Sequence, residues 1–367
     1  MLFRSVDISA LKHNLAALRR ALSPGTALMP VIKANAYGAG ADIVANIFRD
    51  CRYMAVADAQ EAVRLRAVFP GAEMVLLYQP TRDAIPAIVA QDLIAGVCDR
   101  GFLEALSAAA VAAGRVARVH MELDTGMGRL GVQPDEAAAF ARAVCALEGV
   151  TLHGVYTHYA CADSPEAADV AFTREQTARF RRAAAAVEEV CGREVLKHAC
   201  AGAAVFTQPD AHFDLVRPGY MLYGYYPHPD LKRYVTLRPA LKLVSRILYV
   251  KRVPAGTSIG YNRSFVTARD SVIATVAVGY SGGVSRVLSN RGCFVVNGQR
   301  APIVGTVCMD LTMIDVTDIS GAVWEGDEVA IFDNSNVTVE EIAALCGTIG
   351  YELITQITER AERVEGF

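Results

Sequence analysis

A lysine closes the short apolar run Met29-Pro30-Val31-Ile32-Lys33, and Ala34-Asn35-Ala36-Tyr37-Gly38 follows at once. An apolar strand normally gives way to a turn residue, but this one delivers an ammonium group to its carboxyl end. A partly desolvated lysine readily forms a Schiff base with a carbonyl cofactor. Taken alone, such a lysine is more often a surface cap. Other reactive side chains recur at the ends of apolar runs. Residues 116–123 lead into Asp124-Thr125-Gly126-Met127-Gly128-Arg129-Leu130-Gly131, a glycine-rich turn presenting an arginine. Leu152-His153-Gly154-Val155-Tyr156-Thr157-His158 ends on a histidine. Lys197-His198-Ala199-Cys200 precedes Ala201-Gly202, and Phe213-Asp214-Leu215-Val216-Arg217 precedes Pro218-Gly219-Tyr220. Individually, Arg129 fits a surface ion pair, His158 a core histidine and Arg217 a cap. Together they ask for one scaffold that gathers strand ends.

The chain pattern supplies that scaffold. Strand signals fall near 29–33, 53–57, 74–78, 93–97, 116–123, 150–157, 195–200 and 213–217. Helical patterns lie between them at 42–50, 58–68, 83–91, 99–113, 134–147 and 166–191, with a short helix near 201–206. An earlier helix carries Leu11, Leu15, Leu18 and Leu22 as one apolar stripe. Eight strands alternating with helices predict an α/β fold, a (β/α)8 barrel over residues 1–238, whose chemistry gathers at the strands' carboxyl ends. Loops after the seventh and eighth strands commonly bind phosphate, and Gly202 and Gly219 allow close backbone approach. A Schiff-base lysine, a phosphate cradle and an arginine for a ring nitrogen together describe a pocket for pyridoxal 5'-phosphate (PLP). After Arg238-Pro239 the rhythm changes, with strands expected at 241–253, 271–279, 293–296, 302–308, 311–316 and 328–332. Residues 239–367 are therefore expected to form a mainly β domain, with a hairpin signal at Asn297-Gly298.

Bulk properties narrow the function classes. The 367 residues are 53% hydrophobic and 20% charged, enough for a large core. The net charge of −3, without a basic run, gives no nucleic-acid face. No apolar run reaches membrane-spanning length, and no secretory leader is expected at the start. Nine scattered cysteines without a C-x-x-C pair argue against a disulfide framework or a metal knuckle and for a reducing cytoplasm.

Four motifs together resemble the alanine racemase family. They are Lys33-Ala34-Asn35-Ala36-Tyr37-Gly38, Asp124-Thr125-Gly126-Met127-Gly128-Arg129, Val216-Arg217-Pro218-Gly219 and Val307-Cys308-Met309-Asp310, in order across the chain. The resemblance implies a PLP-dependent homodimer with shared active sites, acting on a small amino acid, with D-alanine supply as a cell-wall precursor and alanine catabolism both consistent with it. It implies that Lys33 carries the cofactor and acts as one base, and that Tyr261 of a second copy is the opposing base. Arg217 would meet the pyridine nitrogen, with His158 beside the ring tying Tyr261 to Arg217. Tyr37, Gly202, Gly219, Tyr220 and Tyr351 would hold the phosphate region. Arg129 and the second copy's Met309, within the Met309-Asp310 pair, would meet the substrate carboxylate, and Tyr280 and Asp163 would line the entrance.

The chain differs from the usual pattern at several positions. Gly202 stands where relatives usually have serine, Gly282 where an acidic residue is usual, and Thr306 and Gln356 where arginines are usual. Glu122 occupies a position at which relatives often carry a carbamylated lysine. Along the fifth strand Arg118, His120 and Glu122 share one face, so Glu122 is expected to point into the barrel and to accept a charge-assisted bond from Arg129. The competing expectation pairs Glu122 with Arg118. Serine or broad-specificity racemisation is the alternative within the family, although retention of Tyr351 favours the small methyl side chain. A non-catalytic PLP-binding barrel resembles only the first part of the chain. Related decarboxylases need a cysteine–aspartate segment that is absent.

Overall fold

The computed structural model describes residues 2–358 and 360–366. Its chain divides into two compact units. One comprises Ala10–Ala36 with Val44–Arg238; the other comprises Tyr37–Ile43 and the residues from Pro239 onward, together with the amino-terminal strand.

That strand, β1 (Leu2–Val6), belongs to the second unit. The first unit is a parallel barrel of β2 (Ala27–Leu28), β3 (Tyr53–Val56), β4 (Glu73–Leu76), β5 (Ile94–Val97), β6 (Ala117–Glu122), β7 (Val150–Tyr156), β8 (Leu196–Ala201) and β9 (Leu215–Arg217). Neighbours run β2-β9-β8-β7-β6-β5-β4-β3, and a parallel bridge between Val31 and Ala55 closes the ring. The first barrel strand is shorter than the expected 29–33 and lies just before it, since Pro30 has no N–H to give the ladder. The segment nevertheless stays in the wall: Met29 N–H donates to Val216 O and Ile32 N–H to Ala55 O, each at 2.9 Å. Strands β3 and β5 are buried at every position, as expected where helices cover one face and the barrel interior the other. Helices Ala59–Arg66, Arg100–Ala112, Ala137–Cys145 and Ala167–Cys191 supply that cover. Helix Ile8–Arg20 buries Leu11, Leu15 and Leu18, while Leu22 lies beyond its end.

The second unit is built on β10 (Leu241–Val253), which pairs antiparallel with β1, β13 (Ser271–Val276) and β17 (Glu328–Phe332). A small hairpin, β11 (Ser258–Ile259) and β12 (Phe265–Val266), precedes β13. Strands β14 (Cys293–Val296) and β15 (Gln299–Pro302) close on Asn297-Gly298, both at positive φ, so the loop has two residues. The strand expected at 302–308 is therefore displaced to β15. Beyond it, among the described residues, the isolated Ile303–Ile314 bridge joins the segment to β16 (Thr312–Asp315). The chain ends with helices Val339–Cys346 and Gly350–Gln356 and with β18 (Ala361–Glu365), which lies parallel to β1. Among the described residues no helix is long and apolar enough to cross a membrane.

Candidate active site

Lys33 follows β2 by five residues and lies two beyond Val31, whose bridge to Ala55 closes the ring, and the backbone after it is unusual. Ala34, Asn35, Ala36 and Tyr37 all have φ between 51° and 57°, a left-handed turn built without glycine. Such conformations cost roughly 1–2 kcal/mol per residue, so neighbours must hold them. Asp58 caps helix Ala59–Arg66 by accepting from Glu61 N–H at 2.8 Å. The cap places the Glu61 carboxylate to accept Asn35 N–H at 3.2 Å and Ala57 N–H at 3.2 Å. In the β unit, the fully buried Arg4 donates to Tyr37 O at 3.3 Å and to Ile354 O at 2.6 Å. The Tyr37 and Tyr351 rings lie 6.4 Å apart, so two residues expected around a phosphate do come together. Burial pushes the Tyr37 hydroxyl's pKa up, which keeps it a neutral donor.

The loop after β6 is shaped by Asp124, whose Oδ1 accepts from Gly126 N–H and Gly128 N–H, each at 3.0 Å. It returns to the strand through Val132 N–H on Glu122 O and leaves Arg129 exposed near its tip. Glu122 does point into the barrel and is buried, but its carboxylate accepts from the Tyr156 hydroxyl at 2.9 Å. No hydrogen bond joins it to Arg129 among the described residues. The competing pairing also fails, because Arg118 binds Glu73 and Asp92. Enclosure raises the Glu122 carboxyl pKa, with the Tyr156 bond and then the Arg129 charge opposing the rise.

Arg217 ends β9 and is almost wholly buried. Its guanidinium donates to His198 Nδ1 at 2.7 Å, Thr157 O at 2.8 Å and Ala199 O at 3.1 Å, and lies 3.4 Å from His158 Nδ1. Burial, then the charges of Arg217, Arg129 and Lys33, depress His158 to about 3, so it is neutral at any ordinary pH. Desolvation, followed by repulsion from Arg129, also lowers the Lys33 pKa, with Glu61 opposing. Lys33 as a residue remains open to solvent. The two observations agree if the stem is accessible while the loops crowd the ammonium. Lys33, Arg129, His158 and Arg217 thus share one mouth with a positive field. Lys197 does not join them, since it binds Glu188 on the helix side.

Gly202 leaves open space where a Cβ would stand, and Gly219 opens the 3-10 turn Tyr220–Tyr223. A positive mouth, a crowded amine of lowered pKa on an accessible stem and room at Gly202 fit a phosphate-bearing carbonyl cofactor. Asp163 lies exposed on the loop after β7.

The remaining candidates lie on the β unit. Tyr261 stands on the β11–β12 hairpin, 67% exposed, with Asn262 and Arg263 at positive φ behind it. The hairpin is anchored by Ile259, Ile273 and Val304, and Thr306 donates to Tyr261 O at 3.3 Å. Tyr280 and Ser281 pair by backbone with Cys308 and Met309. A Cβ on Gly279 would come within 2.1 Å of Cys308 O, so only glycine permits that approach. Tyr280 and Met309 are exposed, and Asp310 accepts from Ser281 at 2.7 Å and Arg360 at 2.6 Å. Sequence reasoning missed Glu61, Tyr156 and the contact between His198 and Arg217. The period-two polar face of β6 pointed toward that interior, but nothing local named the partners.

Two family models match the chain: alanine racemase, N-terminal domain, over residues 6–227, and alanine racemase, C-terminal domain, over residues 240–365. An alanine racemase of Desulfovibrio desulfuricans is 39% identical over 98% of this chain and 96% of its own length. The solved alanine racemase of Clostridium difficile 630 is similar at a TM-score of 0.92 and 31% identity, covering 98% of this chain and 94% of that one. That of Bartonella henselae, solved with covalently bound pyridoxal phosphate, is similar at 0.87 and 28% identity, with 99% of each chain covered.

Proposed function

The chain belongs to the alanine racemase family and is an amino-acid racemase, and from that premise we propose that it interconverts L- and D-alanine with two bases, Lys33 and Tyr261 of a second copy. The observation that carries this reading is the gathering of Lys33, Arg129, His158 and Arg217 in one positive mouth.

PLP, bound through Lys33, would supply the electron sink that makes the substrate's α-proton acidic. Racemisation removes that proton from one face and returns one to the other, so two acid–base groups on opposite faces suffice. An ordinary lysine, with a pKa of about 10.4, is almost fully protonated at neutral pH. Enclosure and the Arg129 charge move Lys33 toward the neutral amine that can accept a proton. Tyr261, exposed at a hairpin tip, would be the opposing base, supplied by a second copy. Arg217 would face the pyridine nitrogen and, being unable to release its proton readily, would leave that nitrogen unprotonated. His158, neutral, would sit beside the ring. Tyr37, Tyr220 and Tyr351, with the backbone at Gly202 and Gly219, would hold the phosphate. Arg129 and the second copy's Met309 would receive the substrate carboxylate, supported by Glu122 and Asp310, with Tyr280 and Asp163 at the entrance.

The purified protein, incubated separately with each L-amino acid, is expected to abolish the optical rotation of alanine fastest. Serine is expected to follow more slowly, because one hydroxyl in a small pocket is a weak discriminant. Loss of rotation with serine ahead of alanine would overturn the substrate assignment, and no loss with any amino acid would overturn the activity.

A further inference from the structure

The histidines behind Arg217 continue well past their contact with it. His198 Nε2 lies 2.8 Å from His120 Nδ1, and His120 Nε2 lies 2.9 Å from His153 Nδ1. The rings rise from β8, β6 and β7, with centroids 4.9 Å and 5.2 Å apart. His120 and His198 are fully buried, whereas His153 is half-buried at the far end.

The proton positions in this row follow from one end. A guanidinium has hydrogens only to give. His198 Nδ1, 2.7 Å from Arg217 Nη1, must therefore be the bare acceptor. Its proton then sits on Nε2, which makes the facing His120 Nδ1 bare in turn, and the same step fixes His153. One permanent cation thus sets the tautomer of three rings, each with its lone pair turned toward Arg217.

The surroundings show why such a row matters. All four acceptors around the buried Arg217 are neutral: two imidazoles and two carbonyls. Among the described residues no carboxylate lies within hydrogen-bond reach, so aligned dipoles stand in for a counter-ion. Tyr156 stacks on His198 at 4.9 Å and 1° and gives its hydroxyl to Glu122, the carboxylate facing the row from β6. Around His153 the charged groups are Arg118, Glu73, Arg52 and Arg193.

We propose that His120 and His153 are positioning residues for Arg217. The row they extend fixes the guanidinium's orientation and compensates its charge, with His153 as the terminal acceptor. The proposal rests on the reading of Arg217 as the group facing the cofactor ring.

Solid-state 15N spectra of histidine-labelled holoenzyme, assigned by single substitutions, test it directly. His120, His153 and His198 should each show a bare Nδ1 and a protonated Nε2. His153→Phe removes the last acceptor. It should move the nitrogen resonances of His198, two rings away, and weaken PLP retention about five- to tenfold. His153→Gln, whose amide oxygen accepts the same N–H, should keep both near the native values. An Nδ1–H tautomer at any of the three rings overturns the proposal. So does a His153→Phe protein that is less stable but has unchanged His198 resonances and cofactor retention. Should His153→Phe fail to fold, the tautomers of the native protein decide alone. Native tautomers as predicted in a protein that racemises no amino acid would leave the row standing and remove the proposed function instead.

Discussion

At the scale of single residues, the mouth of the barrel works by charge rather than by contact. Arg129 makes no hydrogen bond to Lys33, yet its charge is the second cause of the lowered Lys33 pKa, after desolvation. Activity that requires the neutral amine appears as pH rises through that pKa. Arg129→Met should therefore move the acid limb of the kcat/KM profile to higher pH, because removing a repelling cation lets the Lys33 pKa rise. It should also raise KM about 10- to 100-fold through loss of the substrate carboxylate's partner. A raised KM with an unmoved limb would confine Arg129 to binding. Borohydride reduction of the holoenzyme should fix the cofactor to one peptide containing Lys33, and label on any other lysine would refute that assignment. Glu122 has a different task from the one its position suggests, since its bond comes from Tyr156. Glu122→Gln keeps an oxygen for Tyr156 but removes a negative charge near Arg129 and Arg217. Kinetics should show a KM raised several-fold with the visible cofactor spectrum unchanged, and native activity should be indifferent to removal of bicarbonate. Native kinetics in Glu122→Gln would show that the charge is dispensable.

At the scale of elements, much of this was legible in the sequence and some was not. Apolar runs and period-3.6 patterns found the barrel strands and most helices, most plainly β3 and β5, which are buried at every position. The same patterns placed Lys33 and Arg217 at strand ends. They missed the left-handed turn at 34–37, because alanine and tyrosine carry no local signal for positive φ and the turn is imposed by contacts distant in sequence, such as Glu61 on Asn35. Strand β1 was missed for a similar reason, since its partners are hundreds of residues away. The strain makes a testable trade. Ala34 is exposed at φ 52°, so Ala34→Gly should stabilise the fold by up to about 1 kcal/mol in urea titrations while lowering kcat by loosening the segment that carries Lys33. The buried histidines behind and beside Arg217 predict a second element-scale property. His120 and His198 have pKa values well below the ordinary 6.5, and His158 is near 3, so the folded barrel leaves them neutral. As pH falls below about 6.5 the unfolded chain binds protons that the native state refuses, and stability must fall. With all three refusing, the slope approaches about 4 kcal/mol per pH unit. Urea midpoints that stay level from pH 7 to 5 would contradict the neutrality of His120, His198 and His158.

At the scale of the whole molecule, the division of labour between the two units bears on how many chains make one site. The lysine, both mouth arginines and His158 all belong to the barrel unit, whereas Tyr261, Tyr280 and Met309 are exposed on the β unit. In a closed two-fold dimer the same set would be offered twice, once by each copy. This arrangement makes Lys33→Ala and Tyr261→Ala complementary lesions if each site draws its bases from two chains. Each homodimer then lacks one base in both sites. After exchange, half of the dimers are mixed, and in each of these one site carries both lesions while the other carries neither. Random exchange should therefore restore roughly a quarter of native activity from two inactive proteins. Native mass spectrometry confirms the exchange independently of the assay, since the two variants differ in mass. Exchange without recovered activity would mean that both bases come from one chain. Recovery without any mixed species would point to incomplete inactivation of one parent, which assay of each variant alone detects. Because the prediction depends only on which chain supplies each base, it holds whether alanine or serine proves the better substrate.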